Sequence, residues 1–220
     1  MCGKWVCGIG VICALLAGCN RQQSRAGAIG HSTVDVRKAE VIRQLDQKWE
    51  NPAAHFELGQ LYHASGDWAK AQYHYNIALG FDPVHREAQA ALVKVLFDSG
   101  DSVKAKTTAD MYVTQASSSA SAMFDIGVGF EKQGLDDYAL SCYKQAIGMA
   151  PNSAVINKQL GYYYLKKKNN EQAKEYLIRS FQINANQPDV AGELGRLGVA
   201  VRIPRTSETN VDNVAAQPGK

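Results

Sequence analysis

The side chains best equipped for chemistry in this chain are thiols and imidazoles, and their spacing limits what they can do. Cys2, Cys7, Cys13 and Cys19 crowd the first residues, and Cys142 stands far from them. The first four lie in or beside an apolar run without acids or histidines nearby. A zinc cluster needs ligands presented by a folded turn, so no metal site is expected there. His55, His63, His74 and His85 are scattered and form neither H-E-x-x-H nor a close Cys-His pair. Asp136 and Asp137 are neighbours, and neighbouring side chains on a helix face different ways, so they are expected to cap a helix rather than form a carboxylate dyad. Gly127-Val128-Gly129 is an isolated glycine pair, and no G-x-x-x-x-G-K-[ST] loop occurs. Cys142 is expected to be a small packed residue. No catalytic constellation emerges. The chain is not expected to be an enzyme, and no cofactor or small-molecule substrate is expected.

Cys19 is the exception among the thiols, because it closes an export-like segment. Lys4 gives a positive start and Val6 to Leu16 form an apolar stretch too short to span a bilayer. The stretch ends in Leu16-Ala17-Gly18-Cys19, which resembles the lipobox of bacterial lipoproteins. That resemblance implies cleavage before Cys19 and acylation, palmitate included, of its thiol and new amine. Several acyl chains at about 0.8 kcal/mol per buried methylene hold a protein firmly at a membrane. The same resemblance implies a bacterial envelope location. Asn20, standing where Asp would retain enterobacterial lipoproteins in the inner membrane, points to the outer membrane, facing the periplasm. Residues 1–18 are thus read as signal peptide. Residues 19–33 are read as the acylated cysteine and a flexible, polar, glycine-bearing tether with a reach of roughly 20 Å.

The elements behind the remaining residues are set by a repeat. Gly66, Gly100 and Gly134 recur every 34 residues; Ala71, Ala105, Ala139 and Ala173 keep the same step, as do Leu58, Leu92, Ile126 and Leu160. A fixed period in this range marks a stacked-repeat protein whose units bury their apolar faces against one another. Apolar residues make up 45% of the chain, enough for such a core, and the net charge of +3 comes without a long basic run. Nucleic acid is therefore not an expected partner. Lys166-Lys167-Lys168 is read as a solvated helix end.

The repeat resembles the tetratricopeptide family, whose pattern is W-x2-L-G-x2-Y, A-x3-F and P over two antiparallel helices. The first copy carries Leu58-Gly59, Tyr62, Ala71, Tyr75, Ala78 and Pro83; the third carries Ile126-Gly127, Phe130, Ala139, Tyr143, Ala146 and Pro151. The fourth carries Leu160-Gly161, Tyr164, Ala173 and Leu177, with Ser180 and Ala185 further on. His55, Gln89, Met123 and Asn157 replace the leading Trp. The resemblance implies an all-α, right-handed α-solenoid of helix-turn-helix units closed by a C-terminal capping helix. The divisions expected are an N-terminal helix over 34–50, repeats over 51–84, 85–118, 119–152 and 153–186, a capping helix over 187–201, and a disordered tail over 202–220. Small residues are needed where paired helices touch, and Gly or Asn tolerates the left-handed conformation at helix ends. Asp67 and Asp101 stand where they can cap second helices.

The second copy departs from the pattern. Val93 replaces the small Gly, Tyr112 a small Ala, Ala109 the aromatic and Ser117 the Pro. Two small positions became large and one large became small, so this helix pair is expected to stand further apart. Ser117-Ser118-Ser119 is expected to be a looser joint.

The family resemblance also implies a concave groove lined by the first helices. Its contact positions fall on Phe56, Gln60 and His63, then Ala90, Lys94 and Phe97. They continue through Phe124, Val128 and Glu131, then Lys158, Tyr162 and Leu165, and end on Arg196. Offsets of four and seven put each set on one helical stripe. Exposed aromatics beside isolated charges suit a protein or peptide lying in the groove. A carboxylate clamp of the Lys/Asn/Arg kind is not matched, since Phe56, Gln60 and Val128 stand at its positions. These features imply a membrane-anchored interaction scaffold or assembly factor of the envelope. Two rivals are a pilotin-like factor for secretin or type IV pilus assembly, and a non-catalytic accessory subunit of an envelope enzyme acting on peptidoglycan.

Overall fold

The computed structural model describes residues 23–202, with side chains from residue 33 onward. The export-like segment, Cys19 and the tail beyond residue 202 lie outside the described residues. Within them the chain forms ten helices and no strand. These are α1 (Gln23–Gln47), α2 (Pro52–Ala64), α3 (Trp68–Phe81), α4 (Arg86–Asp98) and α5 (Ser102–Ala116). They are followed by α6 (Ala120–Lys132), α7 (Asp136–Met149), α8 (Ala154–Lys166), α9 (Asn170–Ile183) and α10 (Pro188–Arg196). The pairs α2/α3, α4/α5, α6/α7 and α8/α9 are hairpins; α1 packs on α2, and α10 packs on α9. The result is an α-solenoid, each hairpin burying its apolar side against the next.

The N-terminal helix corrects an expectation. It begins at Gln23, so most of the segment read as a flexible tether over 19–33 is helical. No proline stands between Gln23 and Gln47 to interrupt the i→i−4 ladder. Val41 and Leu45 then bury against Ala54 and Leu58 and fix the helix to the first hairpin.

Helix starts are set by side-chain caps. Asn51, Asp67, Asp101, Ser119, Ser153 and Asn169 each accept a bond from the amide three residues on, and the His85 ring does the same for Ala88. At α7 the cap position falls on Leu135, which offers no acceptor. Asp136 and Asp137 are therefore not caps but first-turn residues, where carboxylates still meet the positive end of the helix. The turn inside each hairpin needs a left-handed residue. Gly66, Gly100 and Gly134 supply it at φ of 76°, 89° and 71°, but in the fourth hairpin Lys168 does so at 59°. Asn169 is used instead as the cap of α9.

Close approach inside the hairpins depends on glycine. A Cβ on Gly59 would stand 2.5 Å from the Tyr75 ring, and one on Gly161 would stand 2.5 Å from Leu177. In α4/α5 the equivalent pair is Val93 against Ala109, both buried, and these two helices are in looser contact than the other three pairs. The volume exchange is compensated elsewhere. Helix α4 packs closely on α6, where a Cβ on Gly129 would meet the Arg86 carbonyl at 3.0 Å. Residues Ala88 to Val93 are all buried. The Ser117–Ser119 joint leaves α5 and α6 in looser contact than α3 and α4, as expected, and in contact similar to that of α7 and α8; Ser119 caps α6.

The missing Trp positions have a use of their own. His55, Gln89 and Asn157 are fully buried, and each bonds to the carbonyl six residues earlier: Trp49 at 3.0 Å, Pro83 at 2.7 Å and Pro151 at 3.0 Å. Burying a polar group without a partner costs about 1–3 kcal/mol, so these bonds tie each turn to the hairpin that follows it. Met123, at the same register, is apolar and equally buried.

Candidate protein-binding face

Three kinds of side chain meet on the face made by α2, α4, α6, α8 and α10. The first is aromatic. Phe56, Phe97 and Phe124 are half-buried, each leaning on a tyrosine of a second helix. The ring centroids are 5.9 Å apart for Phe56–Tyr75, 6.5 Å for Phe97–Tyr138 and 5.9 Å for Phe124–Tyr143. Tyr162, on α8, is also half-buried, with the Lys158 ammonium 5.9 Å from its ring centre. The rings thus have one face fixed by packing and another open, the arrangement that supplies contact area at low entropic cost.

The second kind is charged, and most of it is already paired. His63 Nε2 lies 2.8 Å from Asp98 Oδ2, and Lys94 pairs with the other oxygen of the same carboxylate. This joins α2 to α4. Burial pushes the Asp98 carboxyl up, but the bonds from Lys94 and His63 outweigh it and leave it below its ordinary value. Between α6 and α8, Glu131 accepts from Tyr143 at 2.7 Å and from Gln159 at 2.9 Å, with Lys166 3.5 Å away. Between α8 and α10, Asp189 takes Lys158 at 2.5 Å and the Tyr162 hydroxyl at 3.1 Å. Burial first, and the Asp189 bond second, push the Tyr162 phenol up to about 12. Arg196 pairs with Glu193 on its own helix at 2.5 Å and stays exposed.

The third kind is neutral. Gln60 is exposed, Val128 and Leu165 are half-buried, and Ala90 is fully buried, so Ala90 cannot meet a ligand. Gln60, His63, Trp68, Asp98 and Gln133 line a cleft of about 550 Å³ at the ends of α2, α4 and α6. Asp98, Asp189, Gln159 and Trp68 were not among the residues expected from sequence. Asp98 could have been found as the i,i+4 partner of Lys94. Asp189 and Gln159 act across hairpins, and no local spacing signals them.

A helical-hairpin solenoid with a ladder of cross-hairpin polar bridges belongs to the architectural class of α-repeat proteins. A tetratricopeptide repeat model matches residues 159–187. The match runs from within α8, through α9, to the residue before α10. Among characterised proteins the chain is similar to the type IV pilus assembly protein PilF of Pseudomonas aeruginosa, 29% identical over 147 residues. That alignment covers 66% of this chain and 58% of the relative, so the chain spans less than two thirds of the relative's length. The solved structure of Pseudomonas aeruginosa PilF is 28% identical, covers 66% of this chain and 67% of its own, and has a TM-score of 0.39. A thermophilic tetratricopeptide protein of Thermus thermophilus is 16% identical with a TM-score of 0.42, covering 80% of this chain and 95% of its own. Among the described residues no helix is long and apolar enough to cross a membrane.

Proposed function

We propose that this chain is a lipid-anchored scaffold of the bacterial envelope that holds a protein or peptide along the face of its first helices. Cys19 is the anchored residue in this reading, and the outer membrane, on its periplasmic side, is the location. The observation that carries the binding role is the row of half-buried rings: Phe56, Phe97, Phe124 and Tyr162 recur on successive first helices. Charges beside them are compensated within the face, so the rings supply the contact energy and the paired charges fix register. Each partner side chain covering such a ring removes apolar area worth about 25 cal/mol per Å² from water.

A pilotin-like role is the second reading, and the similarity to a pilus assembly protein favours it. One experiment addresses both. Phe124→Glu with Tyr162→Glu is introduced into the full chain, and partners are captured by crosslinking in the native envelope. Loss of the captured protein with unchanged far-UV circular dichroism supports the face as the binding site. Undiminished capture moves the interface elsewhere. A secretin as the captured protein selects the pilotin reading.

A further inference from the structure

A second cleft, of about 600 Å³, opens on the edge of the solenoid that carries the turns inside the hairpins. Phe97 of α4, Leu135, Asp136, Asp137 and Tyr138 at the start of α7, and Lys167 after α8 line it. Its walls are aromatic: Phe97 and Tyr138 are tilted neighbours, and Phe130 supports Tyr138 from below at 5.4 Å between ring centres. Its charges do not balance. Asp136 and Asp137 face the opening with Lys167 as the sole cation in the lining, and the Asp110 carboxylate of α5 lies near enough to help push the Tyr138 phenol up, after burial. Glu131, the other acid nearby, is taken up by Tyr143, Gln159 and Lys166.

The chain itself shows what chemistry this cleft accepts. The Lys167 ammonium sits 2.5 Å from Asp136 Oδ2 and 5.6 Å from the centre of the Tyr163 ring, whose hydroxyl donates to the Asp136 carbonyl at 3.3 Å. A cation is thus held between a carboxylate and an aromatic face. Asp136 Oδ1 is buried and takes no hydrogen bond from any described residue, although buried carboxylate oxygens ordinarily find a donor. Asp137 is exposed. With Oδ1 covered, an incoming donor meets Asp136 at Oδ2 and Asp137 at its exposed carboxylate. A planar guanidinium, with its donors in a fixed fork and a face that stacks on an aromatic wall, suits that pair better than an ammonium.

We propose that this cleft is a docking site for an arginine side chain of a protein partner, held by Asp136 and Asp137 and stacked against Phe97 and Tyr138. The site shares Phe97 with the first-helix face, but its acids and Tyr138 belong to α7, so its test reads residues outside that face and fails or succeeds independently of partner capture there. The guanidinium shares or displaces Lys167 at Asp136, so removing Lys167 frees the carboxylate for the incoming cation.

The test is a titration of the full, ¹⁵N-labelled chain with N-acetylarginine methylamide, and with N-acetylcitrulline methylamide as its neutral twin. The expected result is saturable shifts of the amides of residues 135–138 with the arginine compound, and binding about tenfold weaker with the citrulline one. Asp137→Asn, an exposed change that leaves the amide spectrum elsewhere intact, weakens arginine binding, and Lys167→Ala strengthens it. Tyr138→Leu checks the stacking separately and also weakens it. Equal response to the two compounds, absence of saturable shifts, or weaker binding in Lys167→Ala overturns the proposal.

Discussion

His55 Nδ1 and His74 Nδ1 lie 3.1 Å apart, so one proton is shared between a fully buried ring and a half-buried one. The tautomers follow from the partners. The Trp49 carbonyl can only accept, so His55 Nε2 carries the hydrogen there, and its neutral Nδ1 must accept from His74 Nδ1–H. Burial holds His55 below the ordinary 6.5, and burial followed by the repulsion of His55 holds His74 down to about 4. The unfolded chain then binds more protons than the native one between about pH 6.5 and pH 4, so stability rises with pH through that window. It is fully present above 6.5 and is lost as the pH falls toward 4. Partial exposure of His74 discounts the effect to about 1–3 kcal/mol. Urea midpoints measured from pH 7.5 to 4.5 should fall steeply, and His74→Phe should flatten that slope while lowering stability at pH 7.5. A slope unchanged by the substitution assigns the pH dependence to other groups.

Equivalent positions in two hairpins should both lose stability, but to opposite changes in size. At Gly59 there is no room, so Gly59→Ala should cost about 1–3 kcal/mol by overpacking against Tyr75. At Val93 the space is filled, so Val93→Ala should cost a similar amount by leaving a cavity. Restoring the family arrangement tests the exchange itself. Val93→Gly combined with Ala109→Tyr should be less destabilising than the two single changes added together, by about 1 kcal/mol or more in a double-mutant cycle. Strict additivity would mean that these two side chains do not set the separation of α4 and α5.

Cys142 is fully buried, and burial pushes its thiol up to about 12. The thiolate is the reactive form, so the native residue should be inert at pH 8. Alkylation followed site by site with mass spectrometry should leave Cys142 unmodified in the folded chain and label it fully in denaturant. Rapid native labelling would require α7 to open locally on the timescale of the reagent.

The helices were legible in the sequence because a 34-residue period repeats the same packing demand, and each repetition of Gly66, Ala71 or Leu58 reinforces the others. The wide second hairpin could be foreseen for the same reason: Val93 and Ala109 violate a pattern that the other copies define. The polar contacts were not legible. His55 and His74 looked scattered because they lie on different helices, and only the antiparallel return of α3 along α2 brings them together. Asp98 and Asp189 act between hairpins, where the spacing depends on superhelical geometry rather than on local order. Lys168 stands at the register of Gly66, Gly100 and Gly134, so the left-handed turn falls on it, while Asn169 stands at the register of Asp67 and Asp101 and caps α9.

The anchor is the remaining element, and its chemistry makes a sharp expectation. If Cys19 carries acyl chains, as proposed above, membrane attachment follows from that residue. One acyl chain holds a protein only marginally, whereas several hold it firmly. Cys19→Ala should therefore move the chain from the membrane fraction to the soluble fraction and abolish incorporation of labelled palmitate. The solenoid should remain folded, because α1 joins it through Val41 and Leu45, far along the chain from Cys19. Helical content and the urea midpoint of the released protein check that point. A variant that stays with the membrane without palmitate would show that another surface of the protein holds it there.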